Sequence, residues 1–203
     1  MAAPLAERGG AEVLHQPGQP VVAQAARNPG SKREPGEGIL GRAGGEHGDL
    51  KGNRQDAECN GTLALGLGLA LAQPETPVIV ITGDGDMFMG LGSFATLAQQ
   101  GPGNLTLAVL DNGLYGETGG QETPSSGRAD LAAIAKACGI DDCRTVATLA
   151  EVEDLALRAH RVAEAPCVAV LKISRDDPGR VVPVREGAYN KSRLRVALGL
   201  SAD

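Results

Sequence analysis

The chain has 203 residues, a formal net charge of −6, and two Phe and two Tyr with no Trp. That length suits one domain with appendages. The acidity argues against a nucleic-acid partner, and the scarcity of rings removes the stacking platforms that bases need. The run Gly61 to Ala72 is too short to cross a bilayer, which takes roughly 20 residues, and no secretion signal is read near Met1. Cys59, Cys138, Cys143 and Cys167 show no C-x-x-C spacing, so they are expected to be free thiols in a reducing cytoplasm. His15, His47 and His160 stand apart from every motif, which leaves little support for a zinc site or a histidine-based nucleophile.

Residues 1–57 hold eleven of the 29 glycines, no aromatic residue, and only scattered apolar pairs such as Val21-Val22 and Ile39-Leu40. Such a stretch buries too little apolar surface to offset its ordering entropy, so a disordered or irregular segment is expected. From residue 58 to 175 the pattern is that of one domain. Gly61–Ala72 has the length of a buried helix, and its internal glycines point to close packing. A turn over 73–77 leads to a strand at 78–82. The Gly83–Gly92 loop and a helix over 93–100 follow, ending at Gly101-Pro102-Gly103. A strand returns at 105–110, and a polar, glycine-rich loop covers 112–128. A helix to Cys138, a short strand near 143–147 and a helix opened by the capping box Thr148–Glu151 come next. Cys167–Ile173 is the last strand, and 176–203 is a charged tail. Strands alternating with helices predict an α/β fold with a doubly wound, mostly parallel sheet.

The chemistry is expected where two strands run out. Val78–Thr82 ends in Gly83-Asp84-Gly85, and Leu105–Leu110 ends in Asp111-Asn112-Gly113. A right-handed crossover lays both strands in one sheet and brings Asp84 and Asn112 to the same edge, where open α/β sheets bind ligands. Two hard oxygen donors beside a glycine-lined helix entrance suit Mg²⁺ holding a phosphate-bearing cofactor. Downstream, Thr118, Gly119, Gly120, Gln121 and Thr123 form a loop able to offer N–H and hydroxyl groups to an anionic substrate and to close as a lid. Glu117 is a weaker candidate for proton transfer than for a surface carboxylate. The turn after the first strand lacks G-x-G-x-x-G and there is no Walker lysine, which disfavours an ordinary nucleotide-binding domain.

Gly83-Asp84-Gly85 followed by Asp111-Asn112 resembles the thiamine diphosphate signature. The segment GDGDMFMGLGSFATLAQQGPGNLTLAVLDNGLYGETGGQETPS is similar to the cofactor-binding half of the sulfopyruvate and phosphonopyruvate decarboxylases, including the β chain of the two-subunit form. The likeness runs from about Leu63 to Gly127 and in layout to about Ser174. It implies Mg²⁺ ligation by Asp84, Asn112 and the carbonyl of Leu114. It also implies cofactor contacts from Gly83, Gly85, Asp86, Met87, Tyr115 and Gly116, with the 118–123 loop beside the substrate. The implied activity is decarboxylation of a small 2-oxo acid, with the cofactor ring storing the electron pair left as carbon dioxide departs. The glutamate that activates the cofactor is expected on a separate pyrimidine-binding subunit, which implies a hetro-oligomer with no membrane or nucleic-acid partner and little activity for this chain alone. Two departures stand out: Asp86 replaces the usual Ser or Ala, and Cys59 falls where a bulky apolar residue is expected. The rivals are a carboligase of the acetolactate synthase type and a truncated chain that holds cofactor without catalysis.

Overall fold

A computed structural model describes residues 13–14, 21–24, 61–116, 118–176 and 186–202. The expectations for Cys59, for Glu117 and for most of residues 1–57 fall outside this set. Six strands form the main sheet in the order β1-β2-β3-β4-β8-β7. These are β1 (Val13–Leu14), β2 (Val21–Gln24), β3 (Val78–Gly83), β4 (Leu105–Asp111), β7 (Asp142–Val146) and β8 (Cys167–Lys172). Every pairing is parallel except β1 with β2. A two-stranded ribbon, β5 (Leu114–Tyr115) with β6 (Gln121–Glu122), stands beyond the end of β4. The expected doubly wound α/β architecture is the one observed.

Helices α1 (Thr62–Ala72), α3 (Ser93–Gln100) and α4 (Leu131–Ala137) share a core with one face of the sheet. Leu63, Leu67 and Ala70 of α1 meet Val78 and Val80 of β3 there, together with Phe94, Leu97, Leu107, Leu131 and Val168. On the other face Leu155 of α5 (Leu149–Ala159) joins Val146, Cys167 and Ala169. Strand β4 is buried along almost its whole length, which explains an apolar run without alternation. The glycines of α1 behave differently from each other. A Cβ at Gly66 would collide with the side chain of Val80, whereas one at Gly68 would meet nothing. Only the first marks close packing.

Two local expectations are corrected. The segment after β3 is not a loop: α2 (Asp84–Met89) starts at once, with Gly83 extended as its N-cap. The 112–128 stretch contains the β5–β6 ribbon and a 3₁₀ turn at Pro124–Ser126. From the N-terminal segment, Val21–Gln24 adds a parallel strand to β3 and Val13–Leu14 an antiparallel one to β2. Backbone pairing along a ready-made sheet edge orders such a strand, and two or four residues are too few to display a period. The tail carries α6 (Gly187–Ala197), which has no buried residue. No helix among the described residues is long and apolar enough to cross a membrane.

Candidate functional site

Parallel pairing of β3 with β4 sets Gly83 opposite Leu110. Asp84 therefore lies one residue past the carboxyl end of one strand, and Asn112 two past the paired position on its neighbour. Asp84 is 1% exposed and Asp111 is 5% exposed, so each carboxylate must find its partners inside the protein. Asp84 finds hydroxyls: Thr123 donates to its Oδ2 at 2.5 Å, and Ser125 approaches the same oxygen at 3.0 Å. Ser125 Oγ is also 2.7 Å from Asp111 Oδ1 and 2.8 Å from Thr123 Oγ1. The other oxygen of Asp111 accepts from the Lys172 ammonium, delivered by the register of β4 with β8. Burial works against ionisation of Asp111. Lys172, the Ser125 hydroxyl and the Gly113 N–H together outweigh it and hold the carboxyl below the ordinary aspartate range.

The Asn112 amide oxygen accepts the Leu114 N–H at 3.0 Å, an Asx-turn that fixes its orientation. Gly113 occupies the left-handed region at φ 72°, and its carbonyl accepts from Thr123 N at 2.9 Å and Ser126 Oγ at 2.6 Å. The 3₁₀ turn is thereby latched onto the sheet edge. Tyr115 lies against Gly85: a Cβ there would come within 2.7 Å of the ring. The first turn of α2 and the start of β5 thus meet directly. The Leu114 carbonyl accepts Gly116 N at 3.1 Å.

Asp86 turns back toward β3 and α1. Thr82 Oγ1 donates to its Oδ2, while Oδ1 is buried without a partner. Burial pushes its pKa up, against the opposing influence of hydrogen bonds from Thr82 and Thr62. The carboxylate that departs from the resembled pattern is engaged with the fold rather than with the ribbon at the strand edge.

The structure thus brings together Gly83, Asp84, Gly85, Asn112, Leu114 and Tyr115. It leaves Gly116, Thr118, Gly119, Gly120 and Gln121 exposed on the loop. Met87 is buried in the core. Thr123 departs from the rest of the loop: it is 3% exposed, with its hydroxyl committed to Asp84. Ser125, Lys172 and the bonding role of Asp111 went unrecognised from sequence, because a Pro-Ser-Ser turn and a strand-end lysine have no distinctive spacing. Among the described residues no three His, Cys, Asp or Glu side chains gather to hold a metal. The donors near the edge are a carboxylate, an amide oxygen and a carbonyl. That set matches a hard cation, since amide and carbonyl oxygens each keep a second lone pair after one hydrogen bond.

An open, largely parallel sheet whose polar groups converge at the carboxyl edge defines a cofactor-binding α/β domain. The family profile described as "Thiamine pyrophosphate enzyme, C-terminal TPP binding domain" matches residues 59–172, more than half of the chain. The chain belongs to that family. It is 44% identical over 91 residues to a phosphonopyruvate decarboxylase of Streptomyces viridochromogenes, covering 45% of this chain and 22% of that protein. It is 46% identical over 63 residues to the sulfopyruvate decarboxylase subunit beta of Methanocaldococcus jannaschii, covering 31% of this chain and 34% of that protein. The matched stretch therefore spans a minor part of each relative. A solved thiamine diphosphate-dependent 4-hydroxybenzoylformate decarboxylase of Rhodococcus jostii RHA1 superposes with a TM-score of 0.48 at 26% identity, over 60% of this chain and 24% of that one.

Proposed function

We propose that the chain is the thiamine diphosphate- and Mg²⁺-binding part of a 2-oxo acid decarboxylase of the sulfopyruvate or phosphonopyruvate type, completed by a pyrimidine-binding subunit. The observation that carries this is the register of β3 with β4, which puts Asp84 and Asn112 just beyond neighbouring strand ends. Gly83 adds support. Its φ of −94° suits any residue, and a Cβ there would meet nothing within 4 Å, so neither backbone nor packing asks for glycine. The space beside Gly83 is open to the close approach of a ligand.

In this reading Asp84, Asn112 and the Leu114 carbonyl hold Mg²⁺, and the amides of Gly85, Asp86 and Met87 hold the diphosphate. The cofactor, when bound, supplies the electron sink for decarboxylation. The chain's own groups anchor and orient. Tyr115 and Gly116 border the cofactor, and Thr118, Gly119, Gly120 and Gln121 offer uncharged donors to the acidic substrate and shield it from water. Protonation chemistry at the cofactor falls to the partner's glutamate.

Calorimetric titration of thiamine diphosphate, with Mg²⁺ and the pyrimidine-binding subunit present, tests the site. Asp84→Ala or Asn112→Ala should weaken uptake by at least the roughly 10–100-fold that loss of an outer-shell partner of a metal costs. Undiminished binding by either variant overturns the assignment. Release of an aldehyde from the 2-oxo acid supports decarboxylation, whereas an acyloin product supports the carboligase rival.

A further inference from the structure

Thr123 and Ser125 both approach Oδ2 of Asp84 and neither approaches Oδ1. Thr123 donates to Oδ2, and Ser125, whose one proton serves either this oxygen or Asp111 Oδ1, stands beside it, so Oδ2 is the engaged oxygen of the pair. Asp84 is 1% exposed, and its backbone opens α2, so the carboxylate cannot swing out to find another arrangement. The hydroxyls are fixed in turn. Thr123 N and Ser126 Oγ both bind the Gly113 carbonyl, and Ser125 Oγ rests on Asp111, which Lys172 holds.

The proton count sharpens the point. Thr123 and Ser125 bring two hydroxyl protons to a cluster of four close oxygen contacts, at 2.5, 2.7, 2.8 and 3.0 Å. A hydroxyl donates once, so at most two of these contacts are donated at a time and the others are close oxygen approaches. The chain stations both groups at one oxygen of one aspartate.

We propose that Thr123 and Ser125 are positioning residues that restrict Asp84 to coordination through a single oxygen, and so tune the site for Mg²⁺ over Ca²⁺. This rests on the metal-binding reading above and goes beyond it. Mg²⁺ demands a compact octahedron, whereas larger Ca²⁺ takes six to eight oxygens and accepts bidentate carboxylates. A carboxylate with one oxygen occupied by hydroxyls meets the first requirement and frustrates the second. Freed of the hydroxyls, Asp84 has both oxygens to give.

The test titrates thiamine diphosphate into the full chain with its pyrimidine-binding subunit, at graded Mg²⁺ or Ca²⁺, for the parent, Thr123→Val, Ser125→Ala and Thr123→Ser. The readout is the ratio of the two half-saturating metal concentrations, with no turnover involved. Thr123→Val and Ser125→Ala should each move that ratio toward Ca²⁺ by about tenfold, the effect of releasing one charge-assisted hydrogen bond. Thr123→Ser, which keeps the hydroxyl, should stay with the parent. Parallel weakening for both cations marks a merely structural role and overturns the proposal, as does an unchanged ratio or a serine variant that behaves like valine. If Thr123→Val does not fold, Ser125→Ala and Thr123→Ser decide by the same ratio. Absence of metal-dependent uptake in the parent overturns the functional reading itself. Uptake by the parent with an unmoved ratio in the variants overturns this inference alone.

Discussion

Single side chains in this fold have their titration set by the groups packed around them, and Asp142 illustrates how far. It opens β7 beside β8 and pairs with Arg144 at 2.6 Å and with Arg158 at 3.4 Å. Burial opposes its ionisation, yet the Arg144 bonds and charge, the Cys167 thiol and Arg158 together hold its carboxyl below the ordinary range. The same strand buries Cys167, and burial followed by the nearby Asp142 charge pushes that thiol up to about 12. The thiol therefore stays protonated through the physiological range and adds no titration of its own. A carboxylate whose folded pKa is depressed stabilises the protein above its unfolded value of about 3.9, and loses that contribution as pH falls through the folded value. Asp142→Asn should therefore lower the unfolding free energy by about 1 kcal/mol at pH 7, allowing for partial solvent screening. Urea unfolding near pH 3 should show a smaller gap between the two proteins than at pH 7. A gap that widens in acid contradicts the assignment.

Elements are fastened at their ends, and the clearest case is α1. At its C-terminal end Gln73 N bonds Leu69 O. Asn104, in the turn before β4, binds the same end from outside: its Nδ2 reaches the carbonyls of Ala70, Gln73 and Thr76 at 3.1, 2.9 and 2.8 Å. Asn104 is 4% exposed, so truncation removes a buried donor from this end of the helix, where the Gln73 carbonyl keeps only Thr76 N. Asn104→Ala should destabilise by about 1–3 kcal/mol. Amide exchange should quicken first in the last turn of α1 and the 73–77 turn. A variant that melts with the parent removes Asn104 from this role. At the opposite extreme, α5 was legible from four letters. Thr148 and Glu151 close a reciprocal capping box, and the helix starts where that motif places it. Helix α2 was not legible. Gly and Asp after a strand signal a turn, and six residues are too short for a hydrophobic period to correct that reading.

The whole sheet followed from sequence because β3, β4 and β8 are continuous apolar runs separated by crossover lengths, a pattern with few other solutions. The site was half legible for a related reason. Asp84 and Asn112 sit at strand ends, where position along the chain dictates position in space. Ser125 and Lys172 reach Asp111 through loop closure and through register, which no local spacing encodes. The family profile covers residues 59–172, and the donors proposed for the sheet edge suit a cation and a diphosphate. Nothing in that donor set addresses the aromatic end of the proposed cofactor. Sheltering a ring from water on a second surface removes about 100 Å² of apolar area, worth about 2.5 kcal/mol at 25 cal/mol per Å². A pyrimidine-binding subunit should therefore raise thiamine diphosphate affinity by about tenfold or more, after the costs of ordering the interface. Inorganic pyrophosphate with Mg²⁺, which lacks the ring, should bind this chain nearly as well with the subunit as without it. Parallel calorimetric titrations of the two ligands separate the contributions. Equal gains for both ligands would mean that the subunit reshapes the diphosphate edge, and no gain for either would end the case for a shared site.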